Sequence, residues 1–212
     1  MTDRGALSGV LTGVSFIAGI GGAMARSHLP YPRPGSDAAD VRRYFTESAG
    51  PARLSATGQL IPAASLARFT LSVARLAGRS GDGAGALRAA AIAGGGLATG
   101  SLATAGLCAA ALSGRAGRDE ARAVALHRRA VLAGGPVHGA GFGVLVGALG
   151  LAGRRTGELP APLATAALAA AAPNVLSPLY LVSDPAAWLI PIGRFPGLIV
   201  SAIAGARLAR SR

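Results

Sequence analysis

Residues 130–152 read AVLAGGPVHGAGFGVLVGALGLA, twenty-three residues without an ionised side chain. A helix rises 1.5 Å per residue, so about 20 apolar residues cross the ~30 Å hydrocarbon core of a bilayer, and this stretch is long enough. Its Gly135, Gly139, Gly143 and Gly147 fall four apart, on one helical face. In lipid the hydrophobic force between helices is weak, and association relies on small residues that let backbones approach closely. The stretch therefore predicts a membrane-spanning helix with a glycine packing face.

The same reading extends in both directions. Apolar spans bounded by Arg are expected near 7–25, 54–77, 87–112, 130–152, 160–181 and 186–206. The third is free of ionised groups once past Arg88. The fold class this predicts is all-α, a polytopic transmembrane helical bundle of about six spans in one domain (1–212). Residues 26–53 are expected outside the membrane. Pro30, Pro32 and Pro34 favour extended chain, and Ser36 or Asp37 can cap a short surface helix over about 37–48 carrying Tyr44 and Phe45. Residues 113–129, with five Arg around Asp119 and Glu120, read as a helical extension in the headgroup zone.

Composition agrees. The chain has 212 residues, 51% apolar and only 14% charged, and its mean hydropathy is +0.46. Disorder requires low hydrophobicity and is set aside. All 21 basic residues are Arg, and with the Ala and Gly excess this reads as the codon bias of a GC-rich genome. The net charge of +12 sits in short clusters between apolar runs, a pattern for anionic lipid headgroups and against a nucleic-acid partner. Aromatics are only 4%, so interfacial belts are sparse. Arg falls almost equally on the two sides that six spans create, which leaves orientation open. Arg4, the apolar run from Ala6 and Ala23-Met24-Ala25 also fit a cleavable signal peptide, whereas Gly5, Gly9 and Gly13 form a stripe that suits a retained helix.

Several chemistries are excluded. A Walker loop needs Lys, which is absent; Gly141, Gly143 and Gly147 miss the dinucleotide spacing; no HExxH or GxSxG motif is present. The single Cys108 makes no intrachain disulfide or CxxC motif. His127 and His138 lack a third ligand, so no metal site, cofactor or catalytic residue is expected. What remains is polar groups at membrane depth. Arg68 and Arg194 lie near the middles of the second and sixth spans, where insertion costs roughly 2.5–3.5 kcal/mol each. Ser65, Arg68, Ser72 and Arg75 share one helical face, and Asn174, Ser177 and Asp184 another. Two outcomes are open: Asp184 pairs with Arg68 or Arg194 in a polar intramembrane site that includes His138 and Asn174, or Arg68 and Arg75 snorkel to the headgroups. The sixth span carries Pro185, Pro191 and Pro196 beside a second stripe, Gly193, Gly197, Ser201 and Gly205, so a bend or break is expected around 193–196.

By this layout, one apolar helix, a polar segment with Tyr44-Phe45, and five Ala/Gly-rich spans, the chain resembles the uncharacterised small polytopic membrane proteins of GC-rich actinobacteria. The resemblance implies a multi-pass protein of the bacterial inner (plasma) membrane and supplies no activity. Two functions suit the sequence: a non-enzymatic subunit or scaffold of a membrane complex, contacting lipids and a membrane-protein partner or a homo-oligomer, or a carrier of a small molecule or ion that uses the polar groups.

Overall fold

The computed structural model describes residues 4–210. Among these every regular element is helical, and there are no strands. Six helices are long and apolar enough to cross a membrane, and the chain is an all-α six-span bundle.

A 3-10 turn leads into α1 (Ser8–Arg26). The polar segment then carries α2 (Ala38–Glu47) across the surface and passes into α3 (Ala49–Ala77). A glycine turn, with Gly81 and Gly83 at φ 77° and 74°, leads to α4 (Ala84–Leu112). The fourth crossing is composite: α5 (Glu120–Leu132), a π turn over Ala133–Val137, and α6 (His138–Thr156). After α7 (Ala161–Val175), two 3-10 turns, Ser177–Leu181 and Asp184–Trp188, lead into α8 (Leu189–Leu208).

The crossings form a closed ring: α1 packs on α3, α3 on α4, α4 on α6, α6 on α7, α7 on α8, and α8 back on α1. Short connections make sequence neighbours into spatial neighbours. Inside the ring α3 meets α6, and Leu66, Phe69, Phe142, Leu145 and Leu149 fill the centre. Ala and Gly supply little side-chain volume, so cohesion comes from backbones brought into contact. The tightest crossing is α1 on α3, where a Cβ placed on Gly58 would lie 2.5 Å from the Cα of Gly19.

Outside the ring, α2 lies against α5. Val41, Tyr44 and Phe45 are buried with Leu112 and Ala123. Asp37 caps α2, its carboxylate accepting from the Asp40 amide at 2.7 Å. Asp37→Ala should cost about 1 kcal/mol locally, raising amide exchange over 38–44 roughly fivefold while exchange in the six crossings is unchanged.

The break in the helical ladder is not where the prolines of the sixth crossing place it. α8 runs unbroken through Pro196. Pro191 lies in its first turn, where helices need no N–H donor, and Pro185 opens a 3-10 turn. The irregular crossing is the fourth, where Gly135 leaves helical geometry (φ −94°, ψ −105°) immediately before Pro136. Pro136 has no N–H for the preceding turn, so the helical ladder opens just ahead of it.

Candidate functional site

The π turn exposes backbone carbonyls at membrane depth, where an unpaired polar group is costly. Arg194 of α8 satisfies two of them: its Nη2 donates to the carbonyls of Gly134 at 2.6 Å and Gly135 at 3.2 Å. Ser177 Oγ donates to the third, Pro136, at 3.1 Å. The broken turn is thus buried against protein. The guanidinium carbon stands 5.6 Å from the centroid of the Phe16 ring, a cation–π arrangement across to α1. Arg194 Nε is buried without a hydrogen-bond partner. Among the described residues no ion pair includes Arg194.

Arg194 faces a cavity of about 610 Å³. Its walls come from the second half of α1, the start of α3, Leu102 of α4 and the π turn, and the segment from Ser27 to Pro34 passes along its outer edge. That segment is held as a strap. Ser27 Oγ donates to the Leu29 carbonyl (2.7 Å), and Tyr31 packs edge-on against Tyr44 with ring centroids 5.2 Å apart. His127 Nε2 donates to the Arg33 carbonyl at 3.2 Å. Tyr31 lines the cavity with 43% of its surface exposed; desolvation pushes its hydroxyl up to about 12, with Tyr44 and Cys108 adding to the effect. The phenol therefore stays neutral and supplies no counter-charge to Arg194. Among the described residues no Asp or Glu lines the cavity.

The residues expected to form one polar site are distributed differently. Arg68 and Arg75 lie on the exposed side of α3, while Ser65 and Ser72 of the same stretch are buried. The four share one side of α3, but the edge of the buried face falls between the Ser pair and the Arg pair, and Arg68 points out of the bundle. Asp184 is exposed at the start of its 3-10 turn and pairs with neither Arg194 nor Arg68. Backbone carbonyls take the role assigned to it. His138 is buried, its Nδ1 donating to the Ala98 carbonyl at 3.0 Å and its ring stacked on Phe142. It joins α6 to α4. Asn174 is fully buried, with Nδ2 donating to the Ala170 carbonyl (2.9 Å) and Oδ1 unpartnered.

The glycine stripes pack within the chain. Gly139 meets Ser177, Gly143 meets Asn174 and Val175, and Gly147 faces Ala171 across α6 and α7. Gly193 meets Asn174, Gly197 meets Phe142, and Gly205 meets Ala6. Gly135 instead supplies the break. Sequence reading missed Phe16, Gln59 and Tyr31 at the cavity. Gln59, the chain's single Gln, was the available signal, a polar amide near the start of an apolar span.

Among the described residues no cluster of three metal-ligating side chains occurs. Comparison with known protein families, curated proteins and solved structures finds no match. The fold defines the class, a multi-pass helical membrane protein.

Proposed function

We propose that this chain binds a small molecule inside the membrane, in the cavity beneath the Ser27–Pro34 strap, and acts as its carrier. The observation that carries the reading is Arg194, a cation with no carboxylate partner among the described residues, facing a half-open cavity of about 610 Å³. Pockets for one small organic molecule fall between roughly 300 and 1,000 Å³, mostly apolar with a few convergent polar groups. A π turn and a half-buried ion at one point also fit a site better than a packing defect, since both cost stability. The bacterial inner membrane is its proposed setting, as the layout shared with actinobacterial membrane proteins implies.

A second reading, association with a partner helix or another copy, rests on a different surface. Gly96, Gly100 and Thr104 lie four apart on the exposed side of α4, and a Cβ added at either glycine would meet none of the described residues within 4 Å. Native mass spectrometry on protein extracted gently from its membrane separates the two. Retention of a small molecule by the wild type, lost when Met24→Trp narrows the cavity mouth, is expected for the carrier. A fixed-stoichiometry protein partner with no small molecule retained would replace it with the association reading.

A further inference from the structure

Granting that the cavity is a binding site, we infer that its ligand is a monoanion with an apolar body, an organic carboxylate or a phosphodiester carrying one hydrophobic chain or ring system. Three observations converge. First, both hydrogen bonds of Arg194 use Nη2, and Nε is buried without a partner. One oxyanion satisfies a free donor there through charge-assisted hydrogen bonds, which are about twice as strong as neutral ones. Second, Arg194 is the one permanent cation of the wall, where His28 is the other basic side chain; with no Asp or Glu among the described residues of the lining and Tyr31 held neutral, one negative charge balances Arg194. Third, the rest of the wall is mostly apolar, its polar groups being Ser27, His28, Tyr31, Tyr44, Ser55 and Gln59. Phe16, Ile20, Ala23, Leu29, Leu102 and Val131 offer nothing to a compact hydrophilic anion and suit hydrocarbon. At the ~30 Å³ that a water molecule occupies in the liquid, 610 Å³ accommodates roughly twenty non-hydrogen atoms, the size of one acyl chain with its acid group.

The surroundings favour the same charge. Residues 26–53 and 113–129, on the cavity's side of the bundle, hold ten Arg against five carboxylates. A cleft under one sign of charge concentrates ions of the other. Such a monoanion has two sources, a single-chain lipid acid from the bilayer or a water-soluble hydrophobic carboxylate from the aqueous side.

The test uses the full chain in neutral detergent with two acids, oleate and 2-naphthoate, and their uncharged counterparts, oleyl alcohol and 2-naphthamide. Each acid is expected to bind at least about tenfold tighter than its counterpart, consistent with hydrogen bonds to a charged group. Arg194→Gln should bring acid and counterpart level. Stronger discrimination for oleate assigns the lipid source and stronger discrimination for naphthoate the aqueous one. Equal binding of acid and counterpart by the wild type, or discrimination that survives Arg194→Gln, would overturn the inference.

Should Arg194→Gln fail to fold, wild-type protein decides through photo-crosslinking with diazirine-bearing oleate and oleyl alcohol. Saturable labelling of 16–31 and 130–135 by the acid alone supports the monoanion. Equal labelling of those residues by both probes overturns it while leaving the cavity a binding site. Labelling confined to lipid-facing residues such as Leu71 and Leu107 would overturn the binding site itself.

Discussion

Replacing Gly19 even by Ala should largely remove the folded bundle. Gly19 and Gly58 form the closest contact between α1 and α3, and a Cβ on Gly19 falls well inside the van der Waals distance of the Gly58 Cα. The obstructing atoms are backbone, so no side chain can rotate away, and the helices must separate along the crossing. Overpacking typically costs about 1–3 kcal/mol, and this geometry belongs at or above the top of that range. Loss also propagates, because α1 closes the ring against α8 and supplies Phe16 beneath Arg194. Two comparisons make the expectation specific. Gly21, with nothing within contact distance of an added Cβ, should accept Ala with no loss, and the change should be mildly stabilising through helix propensity. Gly58→Ala should cost much as Gly19→Ala does, while the double variant costs far less than their sum, since the first separation makes room for the second methyl. Thermal unfolding in detergent, followed by monodispersity on size exclusion, reads all four. Additive losses at Gly19 and Gly58 would show that the two positions do not share one contact.

The second large effect is expected at Gly193, which ties the core to the cavity. A Cβ there lies 2.7 Å from both the backbone nitrogen and the side-chain Nδ2 of Asn174. Gly193→Val should push α8 off α7 and carry the adjacent Arg194 away from the Gly134 and Gly135 carbonyls. A loss of about 2–3 kcal/mol in stability is the expected scale, together with loss of any ligand held at Arg194. Asn174→Ala removes the side-chain half of the clash but not the backbone half, so the double variant should recover part of the stability. Full recovery would mean that only the Asn174 side chain resists the change. No recovery would mean that the strain lies elsewhere in α8. Unfolding temperature and hydrogen exchange over 132–138 together report the two consequences.

Some of this architecture was legible in residue order. Six apolar runs of sufficient length, cut by Arg clusters, define six crossings because lipid admits only helices whose backbone bonds close internally. The stripe Gly139, Gly143 and Gly147 pointed to a close helix contact, and in the structure that contact is with α7 of the same chain. The helix over 38–47 followed from Asp37 and the three prolines ahead of it. The polar site was harder. Arg68 and Arg194 look alike in sequence, each a cation inside an apolar run. Whether either faces lipid or protein depends on the rotation of its helix, and α3 and α8 are rotated by packing against neighbours distant along the chain.

The position of the break shows the same limit. Three prolines pointed to α8, yet one opens a 3-10 turn, one falls in a first turn, and α8 continues through the third. Pro136, standing alone after Gly134-Gly135, opens the fourth crossing because the guanidinium of Arg194, 58 residues further on, is there to receive the freed carbonyls. The sequence by itself determined the class, the number of crossings and the faces able to pack, because these follow from the local period and length of apolar runs. Only the tertiary structure decided which cation is buried, what neutralises the broken backbone and where a cavity remains. Those depend on atoms that meet across the ring, and no local pattern records them.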